Sequence, residues 1–177
     1  MTISLAIDTS TSRTCVGIID NGIMLWSGYQ DGATAHGPAL PALVAEAIAN
    51  RTIDDVVVGM GPGPFTGLRI GIAFARSFAL ARNIQVRGVC SLDAIAAQVD
   101  THDFIVTVDA RRKEVYWARY VDGVRVGNPA VSFPADVVGN QIHNDLFPDL
   151  IALVALQEEF TEPMYLRHPD AVATADR

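Results

Sequence analysis

Apolar positions along this chain change period several times, and each change marks an element. Residues 3–8 are a short apolar run ending in the acid Asp8, residues 14–20 are a second, and residues 23–27 a third. The polar stretch Thr9-Ser10-Thr11-Ser12-Arg13 separates the first two. Asn21-Gly22, a hairpin signal, separates the next pair. The pattern then turns helical: Leu40, Leu43, Val44, Ala47 and Ile48 recur at three and four, one stripe of a helix over about 38–50. A β-branched run at 56–60 leads into Gly61-Pro62-Gly63-Pro64-Phe65-Thr66-Gly67-Leu68-Arg69-Ile70-Gly71. This reads strand, tight loop and a long helix over about 64–83, with Pro64 suited to the first turn. A strand at 85–90 and a helix at 92–99, with Ser91 as its N-cap, follow. Strands alternating with helices predict a partly parallel sheet covered by helices.

The opening order returns later. Residues 104–109 form an apolar run ending in Asp109, Ala110-Arg111-Arg112-Lys113 turns, 114–121 reads as a strand, and Asp122-Gly123 is again a hairpin signal. Asp8 and Asp109, and likewise Asn21 and Asp122, stand 101 residues apart, which points to a duplicated unit. Beyond Pro134 the pattern weakens to a helix over about 149–159 and a short extended segment at 163–167, with 168–177 expected to fray. The expected organisation is a first lobe over 1–100 and a smaller second lobe over 101–177.

The long helix carries Gly67, Gly71, Ala75 and Ala79 at intervals of four, one face nearly bare of side chains. Such a face permits close approach of another helix. It reads either as an internal packing face or as one shared with a partner. Arg69 and Arg76, seven apart on this helix, suit the rim of an interface.

The 177 residues are 50% hydrophobic and 19% charged, a globular composition. The net charge of −7 argues against autonomous binding of nucleic acid, which needs clustered cations. No leader pattern is visible at the N-terminus, and the apolar part of the long helix is too short to span a bilayer. Cys15 and Cys90 lack metal-ligand spacing and read as buried free thiols of a cytoplasmic protein.

Candidate chemistry is sparse. Asp8, Thr9 and Ser10 could serve a nucleotide, the turn holding phosphate and the acid a metal or its water. Asp, Thr and Ser at a turn also bond their own backbone, with no ligand involved. The second acid lacks a following glycine, and neither a phosphate-binding P-loop nor Gly-x-Ser-x-Gly occurs. His36 has Leu40 one turn later where a helical metal site would want a second imidazole, so no metal site is expected. Arg111, Arg112 and Lys113 form the basic cluster, a solvated turn or a contact to phosphate or an acidic partner.

Ile7-Asp8-Thr9-Ser10, His36 with Leu40-Pro41, the glycine loop 61–71, Ser91-Leu92-Asp93-Ala94, Asp109-Ala110-Arg111-Arg112-Lys113-Glu114-Val115-Tyr116 and Tyr165-Leu166-Arg167 together resemble the bacterial TsaB (YeaZ) family. The resemblance implies an α/β, actin-like ATPase (ribonuclease H-like) fold of two duplicated lobes, here with a reduced C-terminal lobe. It implies a non-catalytic scaffold, not an enzyme on its own. That scaffold is required with TsaD and TsaE to transfer a threonylcarbamoyl group to adenosine 37 of tRNAs reading codons that begin with A. The catalytic paralogue TsaD holds a metal through a His-x-x-x-His pair, which this chain lacks. The implied partner surface lies on the two helices at 38–50 and 64–83, with His36, Leu40, Leu43, Val44, Gly67, Leu68, Gly71, Ile72 and Ala75 as its residues. The same helices would pair two copies when TsaD is absent, and tRNA would be touched only indirectly. No cofactor is expected, beyond weak ATP or ADP binding at a vestigial site of Asp8, Thr9 and Ser10. The alternative is an independent ATP-binding enzyme of the actin-like fold.

Overall fold

In a computed structural model, which describes residues 2–167, the chain forms two β-sheets bridged by short helices. β1 (Ile3–Asp8), β2 (Arg13–Asp20) and β3 (Ile23–Asp31) make an antiparallel meander. Asn21 and Gly22 have φ of 48° and 82°, the paired left-handed residues that match a two-residue hairpin to strand twist. β3 runs past Ser27 to Asp31, because Arg13 pairs with Asp31 at 2.7 Å and stacks over Tyr29. α1 (His36–Ala47), β4 (Asp55–Gly59), α2 (Phe65–Arg82) and β5 (Gln85–Val89) follow. β4 pairs parallel with β1 and β5 with β4, giving the order β3-β2-β1-β4-β5. The helices are the crossovers that parallel pairing requires. α2 stops where Asn83 turns left-handed at φ 53°.

α1 and α2 cover one face of this sheet. Leu40, Val44, Leu68, Ile72 and Ala75 pack on Leu5, Ile7, Val16, Ile18, Val56 and Val58.

The first half ends with α3 (Ser91–Ala96), shorter than the predicted 92–99. Ser91 is the first helical residue and Cys90 the cap position, because the Ser91 hydroxyl is engaged by Asp8. β6 (Asp103–Asp109), β7 (Val115–Val121) and β8 (Val124–Ser132) form a second meander. A short β9 (Ile142–His143) joins β6 in parallel, giving the order β8-β7-β6-β9. Where the first half places α1, the second has only a 3-10 turn at Pro134–Asp136.

α4 (Leu150–Ala155) ends short of 159. Arg87 draws the Val154 and Leu156 carbonyls aside, and the Phe160 N–H donates to Gly88 O. Leu150 and Leu153 of α4 return to the first sheet and pack on its other face with Ala6, Cys15, Ile19 and Val57. Leu92 and Ile95 of α3 pack on Phe104, Val106, Tyr116 and Tyr120 of the second. Each half thus closes the other's core.

The strand repeat is present, but the two acids do not correspond. Asp122 and Gly123 repeat the hairpin turn with φ of 50° and 75°. In the ladders Asp8 faces Cys15, whereas Asp109 faces Val115. Counted from the matched turns, Val115 corresponds to Thr14. Asp109 therefore takes the place of Thr9, and Val108 that of Asp8. A shift of one residue in a strand reverses the face. Asp8 accordingly points into the core while Asp109 is exposed. No helix among the described residues is long and apolar enough to cross a membrane. Residues 168–177, expected to fray, lie outside the described residues.

Candidate functional site

Asp8 closes β1 with its carboxylate buried, as are Thr9 and Ser10. Its Oδ1 accepts from the Ser10 amide at 2.8 Å and from the Ser10 hydroxyl at 2.7 Å. That much is local turn chemistry of Asp and Ser. Its Oδ2 accepts from the Ser91 hydroxyl at 2.6 Å, a partner that only the fold supplies. The Thr9 hydroxyl donates to the Gly67 carbonyl at 2.7 Å.

The glycine loop lies directly on this turn. A Cβ on Gly59 would meet the Asp8 carboxylate, and one on Gly63 would meet the Ser10 backbone. Burial raises the Asp8 pKa, and hydrogen bonds from Ser91 and Ser10 oppose that rise. Asp8, Thr9 and Ser10 therefore do not line an open nucleotide cleft. The Ser10 amide and hydroxyl bond Asp8 and the Thr9 hydroxyl bonds Gly67 O, with Gly59, Gly63, Gly67 and Gly71 packed against the turn.

The bare stripe of α2 also faces inward, which corrects the expected docking surface. A Cβ on Gly67 would sit 2.5 Å from Thr9 O, and one on Gly71 would strike the Thr9 hydroxyl. His36, Leu40, Val44, Gly67, Leu68, Gly71, Ile72 and Ala75 are all buried within the chain, and Leu43 is half-buried against the same core. A row of small residues admits whatever backbone is nearest, and the nearest is the chain's own first turn, held there by β1. His36 Nδ1 and Thr14 Oγ1 share a hydrogen bond of 2.8 Å. Burial lowers the His36 pKa, with the charge on Asp8 pulling the other way. Among the described residues no three His, Cys, Asp or Glu side chains converge as metal ligands.

The two helices turn a different surface outward. Pro38, Pro41, Ala42 and Ala45 of α1 are exposed, as are Ala73, Ser77, Leu80 and Ala81 of α2. Leu80 is 84% exposed. α2 contains three arginines, Arg69, Arg76 and Arg82, and no acid. Among the described residues none of the three has a carboxylate within ion-pair distance. Arg69 and Arg82 instead lie over Phe65 and Phe78, and Arg76 donates to Thr161 O.

Arg111, Arg112 and Lys113 form an exposed turn with φ of 64°, 55° and 64°. Three successive left-handed residues with side chains are strained. The tail crosses this region. The Met164 amide donates to Met60 O at 2.8 Å, the Tyr165 ring lies 4.9 Å from that of Phe65, and Arg167 pairs with Glu114. Sequence reasoning missed Gly59, Gly63 and Ser91 as parts of the Asp8 site. A glycine closing an apolar strand, as Gly59 does, signals a close approach there. Ser91 gave no signal beyond a cap.

Comparison with known proteins supplies the relations of this chain. A family described as "TsaD: tRNA N6-adenosine threonylcarbamoyltransferase" matches residues 31–163. An uncharacterized protein of Mycobacterium tuberculosis is 42% identical over 196 residues, covering 94% of this chain and 92% of that one. The tRNA threonylcarbamoyladenosine biosynthesis protein TsaB of Bacillus subtilis is 33% identical over 123 residues, covering 66% of this chain and 54% of that one. The chain thus spans about half of that TsaB, and 56% of a Mycobacterium leprae relative. The solved structure of YeaZ from Pseudomonas aeruginosa superposes with a TM-score of 0.74 at 26% identity, covering 88% of this chain and 90% of that one.

Proposed function

This chain belongs to the TsaB (YeaZ) family, with its actin-like fold, and from that premise we infer that it is a supporting subunit in tRNA threonylcarbamoyladenosine synthesis. It has no transferase activity of its own and acts in the cytoplasm. It binds the paralogue TsaD directly and works with the ATPase TsaE, which leaves tRNA to its partners.

One observation carries this reading. The residues that could have done chemistry, Asp8, Thr9 and Ser10, are buried and hydrogen-bonded within the chain, while the outward face of α1 and α2, with Pro38, Pro41, Ala42, Ala45, Ala73, Leu80 and Ala81 among its residues, is exposed. An exposed face that carries apolar residues and arginines suits a protein partner. The docking residues are therefore assigned to the outer stripe, with Leu80, Ala73, Ser77 and Ala42 in place of Gly67 and Gly71.

Reconstitution of the tRNA modification with TsaD, TsaE, ATP and substrate tRNA, with and without this chain, tests it. Omitting the chain should abolish modification, and the chain alone should turn nothing over. Leu80→Asp, which puts a charge at the most exposed large apolar side chain of α2, should cut TsaD binding at least about tenfold. Full binding by that variant, or turnover by the isolated chain, would refute the reading. Calorimetry with millimolar Mg-ATP should show no tight site at Asp8.

A further inference from the structure

Arg69, Ala73, Arg76 and Leu80 stand at intervals of four, three and four along α2, which puts them on one stripe of the helix. All four are exposed, while Gly67, Gly71 and Ala75 on the other side are buried. The chain has a net charge of −7, yet α2 holds three arginines and no acid. α1 beside it contributes one acid, Glu46. Cations are thus gathered on an otherwise acidic molecule, on the face that the reading above gives to TsaD.

A cavity of about 460 Å³ lies along this stripe, between α2 and the segment 162–165. Arg69, Arg76 and Ser77 line it from the helix, and Glu162 and Tyr165 from the segment opposite. Arg69 lies over the Phe65 ring at 4.6 Å, and Arg76 donates to Thr161 O. These contacts hold both guanidinium groups in place and neutralise neither. Among the described residues neither has a carboxylate within ion-pair distance, and Glu162 is no exception. Two cations against one acid leave the cavity positive. Ala73 and Ser77 beside the arginines are small, which leaves room for a side chain to enter.

Any partner that covers this stripe takes both arginines out of water. A neutral or basic cover would bury them unpaired, which is unfavourable. An acidic cover turns the same burial into charge-assisted hydrogen bonds, since the guanidinium fork matches a carboxylate. We propose, resting on the scaffold reading above, that an aspartate or glutamate on the surface of TsaD that covers α2 enters this cavity and pairs with Arg69 and Arg76. The two arginines thereby select the partner: an acidic surface is accepted, and a neutral or basic one is refused.

Calorimetric titration of the full chain with TsaD, in chloride buffer without phosphate or nucleotide, tests this. Wild type should bind, and binding should weaken at least about threefold between about 50 mM and about 500 mM sodium chloride. Arg69→Gln and Arg76→Gln, both at exposed positions, should each weaken binding at least about threefold at low salt. Glutamine at 76 keeps a donor for Thr161 O, so the loss reports the charge. The double glutamine variant should lose most of the salt dependence. Arg69→Glu and Arg76→Glu should weaken binding more than the glutamine variants do, because two carboxylates then face each other. Arg82→Gln, in the last turn and off the stripe, should change binding less than about twofold.

Wild-type binding that is indifferent to salt and to both glutamine variants overturns this contact and leaves the scaffold reading standing. A wild type that does not bind TsaD at all overturns both. Binding that requires added phosphate or ATP would mean that the arginines hold a free anion, and overturns the assignment to a partner side chain. Arginine variants that weaken sedimentation of the chain with itself and leave TsaD binding intact would put a second copy in the cavity, and overturn it as well.

Discussion

Asp8 carries its carboxylate where water does not reach, held by Ser10 and Ser91. Asp8→Ala leaves the Ser10 amide and two hydroxyls without their acceptor, and should cost about 3 kcal/mol in urea unfolding. Asp8→Asn keeps an acceptor for Ser10 and should cost about 1 kcal/mol. The pH dependence has a definite sign. Burial raises the folded-state pKa above the ordinary carboxylate value, so folding disfavours the ionised form. That penalty is present at neutral pH and is relieved as pH falls through the folded value. Asparagine does not titrate. The stability difference between wild type and Asp8→Asn should therefore move in favour of wild type between pH 7 and about pH 4. Movement the other way would mean that the hydrogen bonds outweigh burial. The strand-ending acid was legible in the sequence. Its partner Ser91 was not, because only the parallel pairing of β4 with β1 and of β5 with β4 brings the start of α3 to the end of β1.

α2 shows how an element can be read correctly and oriented wrongly. Its length, its Pro64 boundary and its small-residue stripe all followed from the sequence, and the structure has them. Its apolar residues run almost all the way round, so periodicity alone did not say which face is inward. The contact of Gly71 with Thr9 now gives a stability prediction in place of a binding one. Gly71→Ala should cost about 2 kcal/mol through overpacking against the Thr9 hydroxyl. In the Thr9→Ala background the same change should cost less, by at least about 0.5 kcal/mol, because the colliding oxygen is gone. Strict additivity in a double-mutant cycle would show that the two residues do not meet. A larger side chain at Gly71 is expected to unfold the protein rather than block a partner selectively. Leu80→Asp on the opposite face should leave stability within about 0.5 kcal/mol.

For the whole molecule, the exchange of helices between halves predicts one cooperative unit. Leu153 of α4 is buried against the first sheet although it belongs to the second half of the chain. Leu153→Ala should destabilise by about 3 kcal/mol. Trp26 lies beside the first core and Trp117 on the second sheet, where its indole N–H donates to Ser132 Oγ at 3.0 Å. Unfolding followed in Trp26→Phe and in Trp117→Phe reports the two halves separately. Each should give a single transition, displaced equally by Leu153→Ala. Separate midpoints would show that the halves fold independently.

Local grammar was enough for the two meanders, the paired hairpin turns, the helical crossovers and the family. Each depends on residues near in sequence whose backbone preferences point one way. The register of the repeat, the inward turn of the glycine stripe and the sealing of Asp8 were decided by the tertiary structure. Those features depend on which distant surfaces meet, and a small residue or a buried acid takes its role from whatever is packed against it.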